Sequence, residues 1–303
     1  MARLFPPFDP DVSPAPPRGR PRPLPQVPIR QILPSLVTLV ALCSGLTAIR
    51  LAIEGRFEWA IYAILFAAVL DGIDGRVARL LRATSRFGGQ LDSLTDFVNF
   101  GVAPAVLLFA WSLGDMGSLG WVASLVFAIC AALRLARFNV SLDAPAKPDW
   151  QMSFFVGVPA PAGAVLVLLP IYLEFLGAPH GFWTAPVVAI YTLAIGFLMV
   201  STLPSWSGKL IGQRIPRDYV APLLIAFVVF AALLVSFPWV VLTIGVLAYL
   251  GALPLSWRSY QDRKREAARL AAAPVRTETL KLEPPARDGG SPRRQARVRK
   301  GGA

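Results

Sequence analysis

The sequence has little charge, one histidine and very little cysteine. Only 16% of its 303 residues are charged while 55% are hydrophobic, and a soluble domain of this length needs more charge to cover its surface. The single histidine, His180, makes a Ser-His-Asp site or a histidine-rich zinc site hard to build. Cys43 and Cys130 lie inside apolar stretches, which is typical of free thiols packed as small hydrophobic groups. Any chemistry must therefore depend on carboxylates and cations.

Long apolar stretches are abundant in the sequence. A transmembrane helix needs roughly 17 to 25 apolar residues. The sequence contains eight stretches of this kind, near residues 33–53, 57–80, 89–112, 118–140, 156–176, 183–202, 218–236 and 238–256. We therefore predict an all-α membrane protein with about eight transmembrane helices. The Pro- and Arg-rich start of the chain has no apolar central region, so we expect no cleavable signal peptide.

Lysine and arginine are distributed unequally between the two sides of this arrangement. Only Arg50 and Arg56 lie in connections on one side, and the other side holds both tails and the remaining basic connections. The positive-inside rule then places both termini in the cytoplasm, as an even number of spans requires. We expect a multi-pass protein of the cell inner (cytoplasmic) membrane.

The domain organisation follows from the same distribution. We expect residues 1–32 to be a disordered Pro/Arg-rich cytoplasmic tail and residues 33–257 to be the transmembrane domain. Residues 258–303 are expected to be a basic cytoplasmic tail that is largely disordered. The net charge of +12 comes largely from the tails, and topology with attraction to anionic membrane lipids explains it more simply than nucleic-acid binding.

Four aspartates interrupt the second and third apolar stretches. An ionisable residue in a membrane segment is costly, so its default interpretation is functional. At about 3.6 residues per turn, each stretch carries its acids on one face together with small or polar residues: Asp71, Asp74, Gly75 and Ala78 on the second, and Gly88, Asp92, Asp96 and Asn99 on the third. A short cationic connection makes the two stretches an antiparallel hairpin, so we expect the two acidic pairs to face each other at its cytoplasmic end.

Four carboxylates at one point repel each other unless a cation compensates them. All-oxygen ligation favours Mg²⁺, Mn²⁺ or Ca²⁺ over zinc, and two such ions suit a displacement at phosphorus. Arg79, at the edge of the same face, is placed to bind a phosphate. Two other interpretations remain open from spacing alone. The acids can form salt bridges with Arg76, Arg79 and Arg82 that only lock the hairpin, or they can line a cation pathway in a transporter.

The spacing of these residues resembles the signature of a known family. The pattern Asp71-x2-Asp74-Gly75-x2-Ala78-Arg79-x8-Gly88-x3-Asp92-x3-Asp96 resembles that of the CDP-alcohol phosphotransferases. The segments LDGIDGRVARL (70–80), DFVNFGVAPA (96–105), LRLARFNV (133–140) and FFVGVPAPAG (154–163) further resemble its bacterial, membrane-embedded, serine-using members. The likeness runs from about Pro34 to the end of the eighth stretch. It departs at Ser35, where the family often has Asn, and at Asn99, where many serine-using members have Ser.

The resemblance implies that the phosphatidyl group of CDP-diacylglycerol is transferred to the hydroxyl of L-serine, with release of CMP. It implies Mg²⁺ or Mn²⁺ as cofactor, two ions in all, and a homodimer. By position, Asp71, Asp74 and Asp92 are expected to be metal ligands, and Asp96 to be the general base and a further metal contact. The residues expected to line the CDP-diacylglycerol site are Gly75, Ala78, Arg79 and Gly88. We expect direct displacement, because the signature contains no well-placed Ser or His nucleophile.

The acceptor site is expected at the cytoplasmic end of the fourth stretch. A zwitterionic amino acid needs a cation for its carboxylate and an acceptor for its ammonium group, and the predicted acceptor-binding residues are Asn99, Arg134, Arg137 and Asn139. The alternative is that these arginines are positive-inside anchors. Another acceptor alcohol, such as glycerol 3-phosphate, inositol phosphate or choline, also remains open. A transporter is the alternative from another class, although transporters often contain internal repeats and this sequence shows none.

Overall fold

A computed structural model of the chain describes residues 29–80, 86–142, 154–181, 184–206 and 219–272. Its α-helices follow in order: α1 (Ile29–Ile53), α2 (Phe57–Leu80), α3 (Arg86–Asp96), α4 (Ala103–Trp111), α5 (Ser118–Leu142), α6 (Ala160–Val167), α7 (Leu169–Phe175), α8 (Thr184–Val200), α9 (Val220–Ser236) and α10 (Pro238–Ala272). A π-helical segment, Phe97–Val102, joins α3 to α4, and a short 3-10 helix, Leu113–Met116, precedes α5. Strands β1 (Phe154–Val156) and β2 (Pro204–Trp206) pair antiparallel.

At least one helix lies within each of the eight predicted apolar stretches. Four helical stretches are long and apolar enough to cross a membrane by length and composition: Leu33–Ile53, Phe87–Trp111, Ser118–Ser141 and Pro238–Arg263. Shorter apolar helices cover Ala160–Phe175, Thr184–Val200 and Val220–Ser236. The all-α prediction is therefore right for the body of the protein, and the short β1–β2 ribbon is an addition that the apolar pattern did not indicate.

Proline interrupts two of the predicted stretches. Pro170 lies in the first turn of α7 and divides the fifth stretch into α6 and α7. Pro104 occupies the first turn of α4, directly after the π-helical segment. Because proline has no backbone N–H, it is tolerated at the first turn of a helix and breaks the hydrogen-bond ladder elsewhere.

Small side chains bring α1 and α2 together. Ala48, Ala52 and Ala60 are at most 1% exposed, and small residues let helix backbones approach closely within a membrane. The turn between the helices contains Gly55 at φ +75°, a conformation that glycine adopts without a steric penalty. Helix α1 also packs against α3, the π-helical segment and α4, so it lies directly behind the residues that α3 presents.

A second packed region joins α5 to α8. Phe127 and Ala131 of α5 are fully buried, and Gly196 of α8 lies so close that an added Cβ would be 3.4 Å from the Cys130 sulfur. Both cysteines are free thiols, as the sequence predicts. Cys130 is buried as expected, whereas Cys43 is exposed and not packed. The pair of helices fixes where the end of α5 lies relative to α3 and the π-helical segment.

The last two helices differ in how much they contact the body. Helix α9 contains no buried residue, and a helix that is apolar on every side is suited to a lipid environment. Helix α10 packs through Trp239, whose ring centroid lies 4.5 Å from that of Phe175 and 5.5 Å from that of Tyr62.

The chain divides into two compact units, Met1–Arg263 and Lys264–Ala303. Helix α10 continues to Ala272, so the first part of the predicted C-terminal tail is helical. Of the second unit, residues 264–272 are described. The predicted N-terminal tail is described only from residue 29, where α1 begins.

Candidate active site

The two acidic pairs come together between α2 and α3. Asp71 and Asp74 lie in the last three turns of α2, and Asp92 and Asp96 lie on α3. The ligand oxygens that Asp71, Asp74 and Asp92 offer all lie within 4.8 Å of one another. Asp96 lies next to this group, because its carboxyl group is close enough to that of Asp71 for the two to interact. The acidic pairs therefore face each other, as their spacing predicts, although the connection at residues 81–85 lies outside the described part of the chain.

No described lysine or arginine forms an ion pair with any of the four carboxylates. Arg76 and Arg79 are exposed and pair with none of them, and Arg82 lies outside the described residues. Asp74 is only 4% exposed and the other three are partly buried. Since like charges that are withdrawn from water are costly without compensation, the interpretation that these acids lock a hairpin by salt bridges with Arg76 and Arg79 has no support in the structure.

The residue types in the cluster suit a hard divalent cation. All of the donor atoms are carboxylate oxygens, the ligand type that Mg²⁺, Mn²⁺ and Ca²⁺ prefer. The Oδ1 atom of Asp96 is buried and has no hydrogen-bond partner among the described residues. The cluster thus has more acceptor capacity than the surrounding protein satisfies, and the residues fit a metal ion on this ground.

Thr38 of α1 is a member of this site that the sequence analysis missed. Its hydroxyl donates a hydrogen bond of 2.8 Å to Oδ2 of Asp74, and the side chain is buried, with 5% exposure. A polar residue in an apolar stretch was the available signal, but nothing in the spacing links position 38 to position 74.

The residues expected to line the nucleotide site lie on and beside α2. Gly75 is exposed, and a Cβ added there would have no neighbour within 4 Å, so the surface next to Asp74 is open. The Nε of Arg79 donates to the Gly75 carbonyl at 2.9 Å, which holds this exposed side chain against its own helix. Gly88 is half-buried on α3, and the side chain of Ala78 is not among those described.

Two of the four predicted acceptor residues lie with Asp96. Asn99 is fully buried in the π-helical segment, and neither atom of its amide has a hydrogen-bond partner among the described residues. The Arg134 guanidinium of α5 interacts electrostatically with the Asp96 carboxylate, and it also lies 5.5 Å from the ring centroid of Phe138. A buried amide and a cation therefore stand beside the candidate base.

The other two predicted acceptor residues contact neighbouring helices. Nη1 of Arg137 donates to the carbonyl of Val200 at 2.6 Å, and the last carbonyls of a helix such as α8 lack partners within that helix. Nδ2 of Asn139 donates to the Ser93 hydroxyl of α3 at 2.9 Å. These contacts differ from those of Arg134 because successive positions on a helix point in different directions.

The chain is similar to proteins of known class. The family model described as CDP-alcohol phosphatidyltransferase matches residues 31–202, and the one described as CDP-alcohol phosphatidyltransferase 2 matches residues 218–254. The CDP-diacylglycerol–serine O-phosphatidyltransferase of Mycobacterium leprae is 45% identical over 229 residues, which cover 75% of this chain and 74% of that protein. Its namesake in Helicobacter pylori is 36% identical over 57% of this chain and 70% of that protein. The Bacillus subtilis protein of the same name is 33% identical over 56% and 88%, respectively.

Proposed function

The chain belongs to the CDP-alcohol phosphatidyltransferase family, and on that basis we propose that it transfers the phosphatidyl group of CDP-diacylglycerol to L-serine, giving phosphatidylserine and CMP. The observation that carries the proposal is the group of four convergent carboxylates, Asp71, Asp74, Asp92 and Asp96, none of which forms a salt bridge with a described cation. Serine as the acceptor is supported by the relatives in M. leprae, H. pylori and B. subtilis, whose names all state that acceptor.

We assign the metal site to Asp71, Asp74 and Asp92, with Asp96 as a further contact at its edge. The ions are Mg²⁺ or Mn²⁺, two in number, in agreement with the oxygen-only donor set. When bound, such ions neutralise the diphosphate and stabilise the oxygen that leaves with CMP. Thr38 holds the Asp74 carboxylate in place for this role.

Asp96 acts as the general base. A primary hydroxyl is a poor nucleophile at neutral pH and needs a positioned base. The buried Oδ1 of Asp96 accepts no hydrogen bond from the described residues, so this oxygen is available to accept the proton of the acceptor hydroxyl. Asp96 takes the proton of the acceptor hydroxyl while the hydroxyl oxygen forms a bond to the phosphorus of the phosphatidyl group. The bond from that phosphorus to the bridging oxygen of CMP breaks in the same displacement, without a phosphatidyl-enzyme intermediate.

The nucleotide lies along the face of α2 and α3 that carries Gly75, Ala78, Arg79 and Gly88. The open surface at Gly75 permits a phosphate to approach the backbone. Arg79 lies next to it, and its exposed guanidinium needs only to leave the Gly75 carbonyl to contact that phosphate. The acyl chains of the donor stay in the bilayer, so the site opens towards lipid as well as towards water.

The acceptor lies between Asp96, Asn99 and Arg134. A guanidinium pairs with a carboxylate, and an amide supplies both an acceptor for an ammonium group and a donor. The acceptor therefore carries both charges, as an amino acid does. Arg137 and Asn139, also predicted to bind the acceptor, support it indirectly by fixing the end of α5 against α8 and α3.

The membrane arrangement belongs to the same proposal. Eight spans place both termini and the acid cluster on the cytoplasmic side of the inner membrane, and the distribution of lysine and arginine supports this orientation. A homodimer completes the proposal and rests on the resemblance to the family.

The test uses the full chain purified in detergent with CDP-diacylglycerol, Mn²⁺ or Mg²⁺, and a panel of serine, glycerol 3-phosphate, inositol phosphate and choline. We expect CMP release that depends on serine and metal, with phosphatidylserine as the lipid product. Turnover with another alcohol alone would overturn the acceptor and keep the chemistry. The absence of CMP release with every alcohol, from protein that is folded, would overturn the enzymatic function.

A further inference from the structure

Helix α1 contacts the acceptor side of the site at a glycine. A Cβ added to Gly45 would overlap the amide oxygen of Asn99, and it would lie 2.8 Å from the Asn99 Cγ and 3.2 Å from the Asn99 Cα. The side chain of Asn99 therefore occupies the space that any other residue at position 45 would fill. Nothing in the signature of the acid cluster points to this glycine, which lies 26 residues before the first aspartate of that cluster.

Asn99 has the features of a ligand-binding residue. It is fully buried, and both its amide nitrogen and its amide oxygen lack partners among the described residues. Buried polar groups are almost always hydrogen-bonded, and an exception requires an explanation. Asn99 also lies in a π-helical segment, and such segments occur frequently at functional sites.

We propose that Gly45 is a positioning residue for the acceptor, because the space left by its missing side chain sets where the Asn99 amide lies relative to Asp96. This inference rests on the proposed function and deepens it. With a methyl group at position 45, the Asn99 side chain must leave that space. The amide is then displaced from the position in which it contacts the acceptor together with Arg134.

A purely structural role for Gly45 makes a different prediction. Small residues in membrane helices commonly serve only to let two helices approach closely. In that case a larger residue would separate α1 from the π-helical segment and would lower stability and both substrate affinities together. Here the atom in conflict is the end of a side chain, so rotation of Asn99 relieves most of the overlap. The effect is therefore expected on the acceptor and not on the fold.

The experiment compares four variants of the full-length protein: Gly45→Ala, Asn99→Ser, the double variant, and Gly245→Ala as the matched control. Gly245 lies in α10, and a Cβ added there would have no neighbour within 4 Å. CMP release is measured against serine at saturating CDP-diacylglycerol and against CDP-diacylglycerol at saturating serine, and Tm is measured for each variant. We expect Gly45→Ala to raise the KM for serine about tenfold and to change the KM for CDP-diacylglycerol less than about twofold, since small displacements of a positioning group have effects of this size or larger.

The double variant gives the sharpest test. Serine keeps a donor and an acceptor but is shorter than asparagine, so the methyl group at position 45 no longer meets it. The double variant is therefore expected to match Asn99→Ser alone to within about twofold in its KM for serine, a non-additive result that indicates direct coupling.

Three results would overturn the inference: an equal rise in both KM values, no change in either, or additive losses in the double variant. A wild-type protein without serine-dependent turnover would instead overturn the proposed function, and this inference with it.

Discussion

The two ends of the α3–α4 stretch lie beside carboxylates in opposite situations. At one end, Asp92 and Asp96 meet Asp71 and Asp74, and no described lysine or arginine pairs with them. At the other end, Trp111 contacts His180 edge-to-face at 5.1 Å, and His180 Nδ1 lies 2.6 Å from the Glu174 carboxylate. The Glu174 carboxylate pairs with a basic side chain at 2.6 Å, whereas none of the four aspartates has a described basic side chain at salt-bridge distance.

A cavity of about 380 Å³ lies beside Glu174, at the end away from the acid cluster. Its walls are largely apolar, and two of the polar side chains that line it already have partners. Glu174 pairs with His180, and the Tyr191 hydroxyl donates to the Leu166 carbonyl at 2.8 Å. The size of a cavity therefore says less about chemistry here than the number of carboxylates that meet at one point, and by that measure the acid cluster is the reactive end.

The largest expected effect comes from removing the base. Asp96→Asn keeps the size of the side chain but cannot take a proton, and general-base catalysis contributes about 10²- to 10⁴-fold. We therefore expect serine-dependent CMP release to fall by about 10³-fold, while Tm stays close to that of the wild type. The matched control is Asp115→Asn, an exposed acid at the other end of the stretch, which is expected to retain wild-type turnover. Full activity of Asp96→Asn would show that the acid cluster at this end does not supply the general base.

A smaller effect is expected from the residue that orients Asp74. Thr38→Val removes the hydroxyl that donates to Asp74 and keeps the shape of the side chain. Partners that orient metal ligands typically change metal affinity 10- to 100-fold, so we expect the Kd for Mn²⁺, measured by calorimetry without substrates, to rise about tenfold.

The control for Thr38→Val is Thr47→Val on the same helix. The exposed Thr47 hydroxyl bonds only to the Cys43 carbonyl of its own helix at 2.7 Å, so its loss is expected to leave Mn²⁺ binding unchanged. Equal Kd values in the two variants would show that Thr38 has no part in the metal site.

The smallest effect is expected at the Glu174 end. Glu174→Gln removes the charge that pairs with His180, and both side chains are partly exposed. Exposed ion pairs contribute about 0 to 1 kcal/mol, so the free energy of unfolding is expected to fall by less than about 1 kcal/mol. Turnover with serine is expected to stay within about twofold of the wild type. A large loss of turnover with intact folding would mean that this end contributes to the reaction.

Local spacing was sufficient to predict the acid cluster. Residues three and four positions apart share one face of a helix, so the positions of Asp71, Asp74, Asp92 and Asp96 follow from the sequence once both stretches are helical. The free thiols of Cys43 and Cys130 were equally predictable, because each lies inside an apolar stretch.

Contacts between distant helices were not predictable in this way. Arg134, Arg137 and Asn139 are predicted to bind the acceptor because they lie at the cytoplasmic end of the fourth stretch and within the segment that resembles the family. In the structure Arg134 interacts with Asp96, while Arg137 contacts α8 and Asn139 contacts α3. Which neighbour each side chain meets depends on how α5 is rotated against the helices around it, and the apolar pattern of a membrane helix does not determine that rotation.

The sequence by itself determined the all-helical body, the carboxylate pairs and the family, because these depend on composition and on spacing within a single helix or hairpin. Only the tertiary structure decided that Thr38 holds Asp74 and that Asn99 fills the space at Gly45. The physical reason is that α1 reaches the site by packing behind α2 and α3. Such packing depends on the shapes of facing surfaces, which residues far apart in the chain create together.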